Sequence, residues 1–343
     1  MKHPYRIREI AAQSGLSEAT VDRVLHGRGG VRESTIREVR QAISDLDRQR
    51  SQVRLGGRTF MIDVIVQAPP RFCAAIRAAL EAELPALRPA VIRARFHLLH
   101  HPSAADVVSV LERVGRGRSH GVILKAPDLP EIVAAARRGN VPLVTLVTDL
   151  PASPRVAYAG IDNRAVGATA AYLIQQWLAD RAGDVLVVRG HGSFRGEDER
   201  EMGFRAELRG RGPHRRLLEV VDAEDSTAAV GAEHPRGTGR QPVGTRDLLP
   251  VSPALSGNSA VVAAFAAQRR PYDVFVAHDL DEENTALLRE RKLSAVLHHD
   301  LRTDLRRACH AIMQAQGALP GPIRTNPSAI QVITPHNTPP VEF

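Results

Sequence analysis

Residues 6–27 read RIREIAAQSGLSEATVDRVLHG, and this stretch decides how the first part of the chain folds. Gly15 interrupts the helical pattern, and Ser17 then offers a good N-terminal cap for a second helix. Apolar side chains recur at helical spacing on both sides of this turn, at Ile7, Ile10, Ala11, Val21, Val24 and Leu25. Two short helices joined by a tight turn that contains glycine predict a helix-turn-helix unit.

A third apolar stripe follows and predicts a helix from about Arg32 to Asp47. Spacing alone also fits a generic three-helix bundle. The charge distribution favours contact with nucleic acid, because residues 1–58 carry a net charge of +5 out of +8 for the whole chain. The sequence therefore indicates a small basic head on a nearly neutral body.

The composition sets further bounds on the protein class. A length of 343 residues suggests two or three domains, and 43% hydrophobic with 24% charged residues excludes a wholly disordered chain. No apolar run approaches the roughly 18 residues of a membrane span, and the first residues lack the apolar core of a secretory signal, so we expect a cytoplasmic protein with no membrane partner. Cys73 and Cys309 have no CxxC partner, so no disulfide framework, metal or cofactor is expected.

The order of residues in 7–27, continued at Val31 and Thr35, resembles the N-terminal domain of the lactose/galactose repressor (LacI/GalR) family over about 40 residues. The shared pattern is ΦxxΦAxxxGΦSxxTVxRVL, where Φ is apolar. The resemblance implies that the second helix enters the major groove of operator DNA, with Arg23 as the main reader of guanine. The residues implied at the DNA are Ser17, Glu18, Ala19, Thr20, Asp22, Arg23, Arg50 and Arg54. Ser17 and Thr20 are expected at phosphates, and Glu18 and Ala19 at base edges.

Asp22 departs from the family pattern, which usually has Ser at this position. A carboxylate near phosphates must either accept a hydrogen bond from a cytosine amine or be held away from the DNA. An ion pair within the helix to a nearby Arg would hold it away, and the sequence leaves both interpretations open.

The joint between head and body, residues 51–58, also departs from the family. There a short hinge helix wedges a Leu into the minor groove, whereas this chain has Gly57 at that position. Val53 or Leu55 could take the place of the wedge. Otherwise the protein bends DNA less, with Arg50 and Arg54 as phosphate contacts only. A flexible basic linker fits the sequence equally well.

From residue 59 onward, short apolar runs alternate with amphipathic helical stretches. This βαβα order predicts parallel sheets covered by helices, with ligand bound beside the carboxyl ends of the strands in a cleft between two lobes. The ten predicted strands, which suggest two sheets, are 59–66, 91–98, 121–125, 142–147, 156–161, 184–188, 216–221, 273–278, 293–298 and 329–333. The main predicted helices between them are 71–84, 103–114, 128–138, 163–180 and 197–210.

The body resembles the periplasmic-sugar-binding-like effector domain of the same family, on the strings YAGIDN at 158–163, EREMGF at 199–204, VAHD at 276–279 and VITPHN at 332–337. The resemblance implies a two-lobed α/β body with parallel sheets behind the all-α head. It implies that sugar hydroxyls are held by Asp162, Asn163, Arg200 and Asp279, with His299 where sugar-binding relatives often have Gln. Phe72 could stack on a sugar face or serve as a core residue.

Two of these residues have simpler alternative roles. Arg200 could form a surface or lobe-bridging ion pair, and Asp279 could cap the helix that follows it. A glycine-rich stretch, 190–196, lacks the ending of a phosphate-binding loop and is expected at the mouth of the cleft.

Residues 232–256 do not fit the family, because four Pro and three Gly leave neither a helical nor a strand period. The stretch is either a surface loop or a segment translated out of frame between two compensating insertions or deletions. The predicted division of the chain is thus a DNA-binding head at 1–50, a linker at 51–58 and an effector domain at 59–343 that contains this anomaly.

These observations predict a homodimeric transcriptional regulator, most simply a repressor, that binds double-stranded operator DNA and a small sugar or polyol effector. A sugar-binding protein without a DNA-binding role is the alternative. A sugar-modifying enzyme is disfavoured, because no general acid and base pair and no Ser/His/Asp grouping stand out.

Overall fold

The N-terminal head is a three-helix unit. The computed structural model describes residues 4–181, 183–190, 194–210, 215–222, 247–252 and 257–339. Gly15 ends the first helix with a left-handed backbone (φ 68°), which glycine adopts without strain. The helices are α1 (Ile7–Ser14), α2 (Glu18–Leu25) and α3 (Glu33–Leu55), and their shared core is Ile10, Ala11, Val21, Val39 and Ala42.

The third helix is longer than predicted. It continues to Leu55 rather than ending near Asp47, so most of the predicted linker is helical. Residues 48–55 contain neither Gly nor Pro and are mostly good helix formers, so nothing stops the helix before Gly56 and Gly57. Gly57 has a φ of 71°, a conformation that favours glycine.

The N-terminal lobe of the body is a five-stranded parallel sheet with the order β2-β1-β3-β4-β5. Its strands are β1 (Thr59–Gln67), β2 (Val91–Leu99), β3 (Gly121–Lys125), β4 (Leu143–Leu146) and β5 (Arg155–Ala159). Its helices are α4 (Pro70–Glu83), a 3-10 turn (Leu84–Leu87), α5 (Ala104–Gly115) and α6 (Pro130–Arg138). The central strands β1, β3 and β4 are mostly buried on both faces, as a parallel sheet covered by helices requires, whereas the edge strands β2 and β5 are largely half-buried.

The C-terminal lobe is a six-stranded sheet with the order β11-β10-β9-β8-β6-β7, in which β11 is antiparallel to β10. The strands are β6 (Val185–Gly190), β7 (Leu217–Asp222), β8 (Asp247–Ser252), β9 (Tyr272–His278), β10 (Ala295–His298) and β11 (Gln331–Ile333). The helices are α7 (Asn163–Leu178), α8 (Arg195–Gly210), α9 (Asn258–Ala267) and α10 (Glu282–Arg289), whereas α11 (Leu301–Ala315) follows β10 in the chain but packs on the N-terminal lobe. The predicted fold class and the division of the strands into two sheets are confirmed.

The chain crosses between the lobes three times. It passes from β5 into α7, and from β10 into α11, whose residues Leu305 and Ile312 lie in the core of the N-terminal lobe. It returns before β11, where Ser328 forms an isolated parallel bridge with Ile161 of the first crossover. The three crossovers therefore lie side by side between the two sheets.

One part of the anomalous segment is a strand. The prediction of 232–256 as a structureless loop is wrong for Asp247–Ser252, which form β8 between β6 and β9. Residues 247–252 read DLLPVS, which does not alternate between apolar and polar side chains, and Pro250 has no N–H to donate to the sheet, so no sequence period predicts this strand. Its pairing with β9 shifts register twice. Residues 232–246 and 253–256 lie outside the described residues.

Candidate functional site

The candidate DNA-reading surface is the outer face of α2. The Ser17 hydroxyl caps this helix by accepting a hydrogen bond from the Thr20 amide at 3.2 Å, and the two hydroxyls lie 2.8 Å apart. Glu18, Ala19 and Arg23 are exposed on this helix. The cap explains why the helix begins where it does.

Asp22 is ion-paired in the structure. Its carboxylate lies 2.9 Å from a guanidinium nitrogen of Arg28 and 3.0 Å from Nδ1 of His26. Arg28 follows the end of α2, so the pair extends beyond the helix instead of lying within it as predicted. Of the two open interpretations, the structure contains the ion pair that holds the carboxylate.

The two predicted phosphate contacts at the joint, Arg50 and Arg54, belong to the last turns of α3. Their side chains lie outside the described residues. The backbone alone places them on the same continuous helix, one turn apart, close to its end.

The second candidate site is the cleft between the lobes of the body. Its walls come from the carboxyl ends of strands in both sheets, which is where such folds bind ligands. The lining residues are Phe72, Lys125, Val147 and Thr148 of the N-terminal lobe and Phe194, Gly196, Glu197, Arg200 and Asp279 of the C-terminal lobe. Three of the predicted effector residues, Phe72, Arg200 and Asp279, are thereby brought together.

Arg200 is held at one end only. The side chain is 5% exposed, and its Nε donates a 2.7 Å hydrogen bond to the Asn163 side-chain oxygen. The Asn163 amide in turn donates to the Val147 carbonyl at 3.2 Å. Arg200 makes no other hydrogen bond within the described part of the chain, so its terminal nitrogens are available to acceptors in the cleft. Asn163 acts as the residue that orients Arg200.

Asp279 lies across the cleft, directly after β9. Its backbone is left-handed, with a φ of 59°, and its carbonyl accepts a 2.7 Å hydrogen bond from the Asn284 side chain. Burial alone would raise the pKa of Asp279, but the Arg200 guanidinium across the cleft holds that pKa below its ordinary value. Burial next to Arg200 also lowers the pKa of His278 to about 3. The cleft therefore presents a carboxylate at neutral pH, with a neutral histidine beside it.

The structure does not bring the other three predicted residues into the cleft. Asn163 is buried next to Arg200 and is not among the lining residues. The exposed Asp162 caps α7 by accepting a hydrogen bond from the Ala165 amide at 3.0 Å. His299 is completely buried behind Asp279. Phe72 does line the cleft, and it also packs into the core of the N-terminal lobe, so both roles suggested for it are compatible.

Lys125 is a cleft residue that the sequence reading missed. It is 6% exposed, and its ammonium group donates to the Gln67 carbonyl at 3.0 Å. The same group lies 3.8 Å from the ring centre of Phe194, a contact from one lobe to the other. Burial lowers the pKa of Lys125 to about 8. The sequence signal that could have identified Lys125 is its position at the end of a central strand, directly after four buried residues.

The lobes are closed on each other. The Gly196 amide donates to the Thr148 hydroxyl at 3.0 Å, and Arg195 lies 3.5 Å from Asp128. At the other end of the cleft, one guanidinium nitrogen of Arg71 is 2.8 Å from the carboxylates of both Asp281 and Glu283. The open space among the lining residues is about 20 Å³, room for a water molecule but not for a sugar. A ligand must therefore enter through a more open form.

Within the described residues, no group of three or more His, Cys, Asp or Glu side chains is arranged to hold a metal ion. None of the helices described has the length and apolar character needed to cross a bilayer.

Comparison with known families gives two matches along the chain. Residues 6–50 match the family described as bacterial regulatory proteins, lacI family, and residues 67–317 match the periplasmic binding protein domain. No curated protein sequence matches the chain.

Solved structures resemble the body. GanP, a glucose-galactose binding protein from Geobacillus stearothermophilus, aligns with a TM-score of 0.68 at 15% identity over 82% of this chain and 99% of its own. A protein described as a LacI transcriptional regulator from Bacteroides fragilis aligns with 0.66 at 16% over 82% and 98%. An ABC transporter solute binding protein from Burkholderia graminis, in complex with D-arabinose, aligns with 0.67 at 16% over 82% and 97%. At these identities the similarity establishes the fold.

Proposed function

The chain belongs to the periplasmic binding protein domain family and carries a lacI-family DNA-binding head. This combination makes it a DNA-binding regulator with a sugar effector. We propose that it is a cytoplasmic, homodimeric repressor. The two heads of the dimer bind the half-sites of an approximately palindromic operator. The proposed division is a head at 1–50, a joint at 51–58 and an effector domain at 59–343.

On the DNA side, we assign base reading to the exposed face of α2. Arg23 donates to guanine in the major groove, and Glu18 and Ala19 lie against neighbouring base edges. Ser17 and Thr20 contact phosphate, as do Arg50 and Arg54 near the end of α3. Asp22 is assigned no base, because its carboxylate is paired with Arg28 and His26.

On the effector side, the observation that carries the proposal is the guanidinium group of Arg200, in which Nε is hydrogen-bonded to Asn163 and the terminal nitrogens are available to a ligand. A buried Arg with unused donors, facing the half-buried carboxylate of Asp279 across a cleft, is suited to bridging several neighbouring hydroxyls. Phe72 and Phe194 supply apolar faces for the ring of a sugar. The charges of Lys125 and Arg200 are balanced by those of Glu197 and Asp279, which favours an uncharged sugar or polyol over a sugar phosphate.

The response follows from the closed lobes. The effector binds an open form and then stabilises one angle between the lobes, and this angle sets the spacing of the two heads. Reciprocity requires that operator binding change effector affinity by the same factor, typically worth about 1–3 kcal/mol.

The test is a thermal-shift screen with D-glucose, D-galactose, D-arabinose, D-xylose and myo-inositol, followed by operator binding measured by fluorescence anisotropy with and without each compound. Arg200→Ala is expected to abolish the effector response and to leave operator affinity within twofold. Arg209→Ala is the matched control on the same helix, because Arg209 is exposed in the last turn of α8. An unchanged effector titration in Arg200→Ala would contradict the site assignment.

The alternative, a sugar-binding protein without a DNA-binding role, predicts a different result in the same experiment. It would bind a panel compound but show no salt-sensitive affinity for the promoter DNA upstream of its own gene. The two matched families are regulator and binding-protein families, so we also propose that the chain is not an enzyme. Incubation with the panel sugars should return each of them unchanged.

A further inference from the structure

A chain of buried polar groups lies behind the effector cleft. His299 and Asp304 have no exposed surface. Nδ1 of His299 lies 2.6 Å from Oδ2 of Asp304. The other carboxylate oxygen of Asp304 accepts a hydrogen bond from the Ser328 hydroxyl, which itself accepts one from Arg307 at 3.0 Å. Nothing in the assigned effector site accounts for this arrangement.

The carboxylate of Asp304 determines which ring nitrogen of His299 carries the proton. Because Asp304 accepts at Nδ1, that nitrogen carries the proton, and Nε2 is left to face the other way. Nε2 lies 3.7 Å from Oδ1 of Asp279, and it is buried without a hydrogen-bond partner within the described residues. A buried polar atom in this state is uncommon, and here it points at a residue that lines the cleft.

The position of these groups connects the cleft to the lobe crossovers. His299 directly follows β10 in the C-terminal lobe, whereas Asp304 lies on α11, which packs on the N-terminal lobe. The amide of Ser328 donates to the Gly160 carbonyl at 2.8 Å, in the crossover that leads into α7. The contacts therefore run from Asp279 through His299 and Asp304 to all three crossovers.

We propose that His299 is a positioning residue of the effector site: anchored by Asp304, it sets the orientation of Asp279 toward the effector and links that carboxylate to the lobe crossovers. The inference rests on the proposed function, because it assumes that an effector engages Asp279. It replaces the expectation that His299 touches the sugar itself, since the side chain is buried behind the cleft.

A structural role would leave a different pattern of contacts. A histidine that only fills the core needs both ring nitrogens satisfied or an apolar neighbour at each. His299 instead has one nitrogen strongly held and the other directed at the carboxylate that the ligand would use. In the tautomer that Asp304 selects, Nε2 and the Asp279 carboxylate are both acceptors and do not bond to each other across 3.7 Å. A water that enters with the effector can donate one proton to each of them, which joins Asp279 to the anchored ring.

Two substitutions of His299 test the roles of its two ring nitrogens separately. His299→Asn places an amide near Nδ1, so it retains the bond to Asp304 but removes the group that faces Asp279. His299→Gln places an amide near Nε2 and so restores a polar group beside Asp279. The matched control is His310→Asn, on the exposed face of α11.

Affinities of the full-length variants for each of the five panel sugars are measured by titration calorimetry, and operator affinity by anisotropy. We expect His299→Asn to weaken sugar binding tenfold or more while its operator affinity stays within twofold of wild type. His299→Gln should recover most of the lost sugar affinity, and His310→Asn should match wild type in both affinities. Wild-type sugar affinity in His299→Asn would overturn the proposal, as would an equal loss in both variants.

A second measurement needs no ligand. In a long-range ¹H–¹⁵N histidine spectrum, His299 of the ligand-free protein should show a proton fixed on Nδ1, and Asp279→Asn should shift its Nε2 resonance. If no panel sugar binds the wild type, the proposed function fails and this spectrum still judges the placement of His299. An Nε2 resonance that ignores Asp279→Asn overturns the positioning role even if a sugar binds.

Discussion

Lys125 places an ammonium group in a confined space between two phenylalanine rings and two carboxylates. Burial is the largest cause that lowers its pKa to about 8, with Glu197 and Asp279 partly opposing that effect. In the unfolded chain a lysine titrates near 10.4. The folded state therefore holds its proton less tightly than the unfolded state does, which is a stability cost at neutral pH.

Replacing Lys125 tests this cost. Between about pH 8 and pH 10.5 the unfolded state binds the extra proton, so the contribution of Lys125 to the free energy of unfolding rises with pH across that window. Lys125→Met should therefore be more stable than wild type at pH 7, by up to about 3 kcal/mol, and this advantage should shrink as the pH approaches 10. Thermal melts at pH 7, 8.5 and 10 measure it. Lys292→Met, at an exposed lysine, serves as the control, and a pH-independent difference would contradict the cause.

Arg23 is the residue on which the DNA side of the proposal depends most. The side chain is exposed on α2, and its bidentate contact with one guanine should be worth about 1–3 kcal/mol. Arg23→Ala should lose that much operator affinity, and the loss should vanish when that single base pair is replaced. Anisotropy titrations against operators substituted one base pair at a time measure this. A uniform loss across all operators would instead indicate a phosphate contact.

At the scale of elements, the crossing of α7 and α8 determines where Arg200 lies. The two helices approach so closely at Gly167 and Gly203 that a side chain at either would clash with the backbone of the other helix. Helix backbones cannot yield as flexible side chains can. The two glycines therefore set the distance between α7, which carries Asn163, and α8, which carries Arg200.

Gly167→Ala should disturb both stability and effector binding. The added methyl group meets the backbone at Arg200, and overpacking of this kind costs about 1–3 kcal/mol. We expect a lower melting temperature and a weaker effector response, because α8 must shift outward. Gly210→Ala is the control, because Gly210 lies at the end of α8 with open space around it. This variant is expected to melt at or above the wild-type temperature. Equal melting temperatures for the two variants would show that the crossing tolerates a side chain.

Most of these elements could be predicted because their sequence carries a period or a cap. The buried strand Gly121–Lys125 is apolar up to its last residue, and its bounds were predicted without error. Strand β8 could not be found in this way, because its sequence DLLPVS contains a proline and no alternation, and its place between β6 and β9 is set by its neighbours. The end of α3 was misjudged for a related reason, since its last turns are mostly polar and show no apolar stripe.

The site was partly predictable for a similar reason. Arg200 and Asp279 lie in short strings that resemble a known family, so their roles could be expected from the sequence. Lys125 and Phe194 meet across the cleft although 69 positions separate them in the chain, and no local pattern encodes that contact. The burial of His299 likewise depends on how α11 returns to the other lobe, which is a property of the whole fold.

At the scale of the whole molecule, the closed arrangement of the lobes is held by a few polar contacts at the rim of the cleft. Arg71 of the N-terminal lobe bridges Asp281 and Glu283 of the C-terminal lobe, and all three side chains are about 30% exposed. Exposed ion pairs are worth only about 0.2–1 kcal/mol each. Such contacts bias the lobe angle without locking it, which a regulator that must open for its effector requires.

Removing Arg71 should therefore shift the population toward the open form without unfolding either lobe. The Gly196 amide, whose hydrogen bond to Thr148 joins the two lobes, reports this opening through its hydrogen exchange. Arg71→Ala should raise the exchange rate of this amide by about two- to tenfold, as expected for the loss of ion pairs worth about 0.5–1.5 kcal/mol in total. Arg77→Ala, one and a half turns along α4 and paired with Glu81 of its own helix, should leave that rate unchanged. If both variants exchange at the wild-type rate, the lobes are held by the contacts inside the cleft, with Lys125 against Phe194 foremost, and not by the charges at its rim.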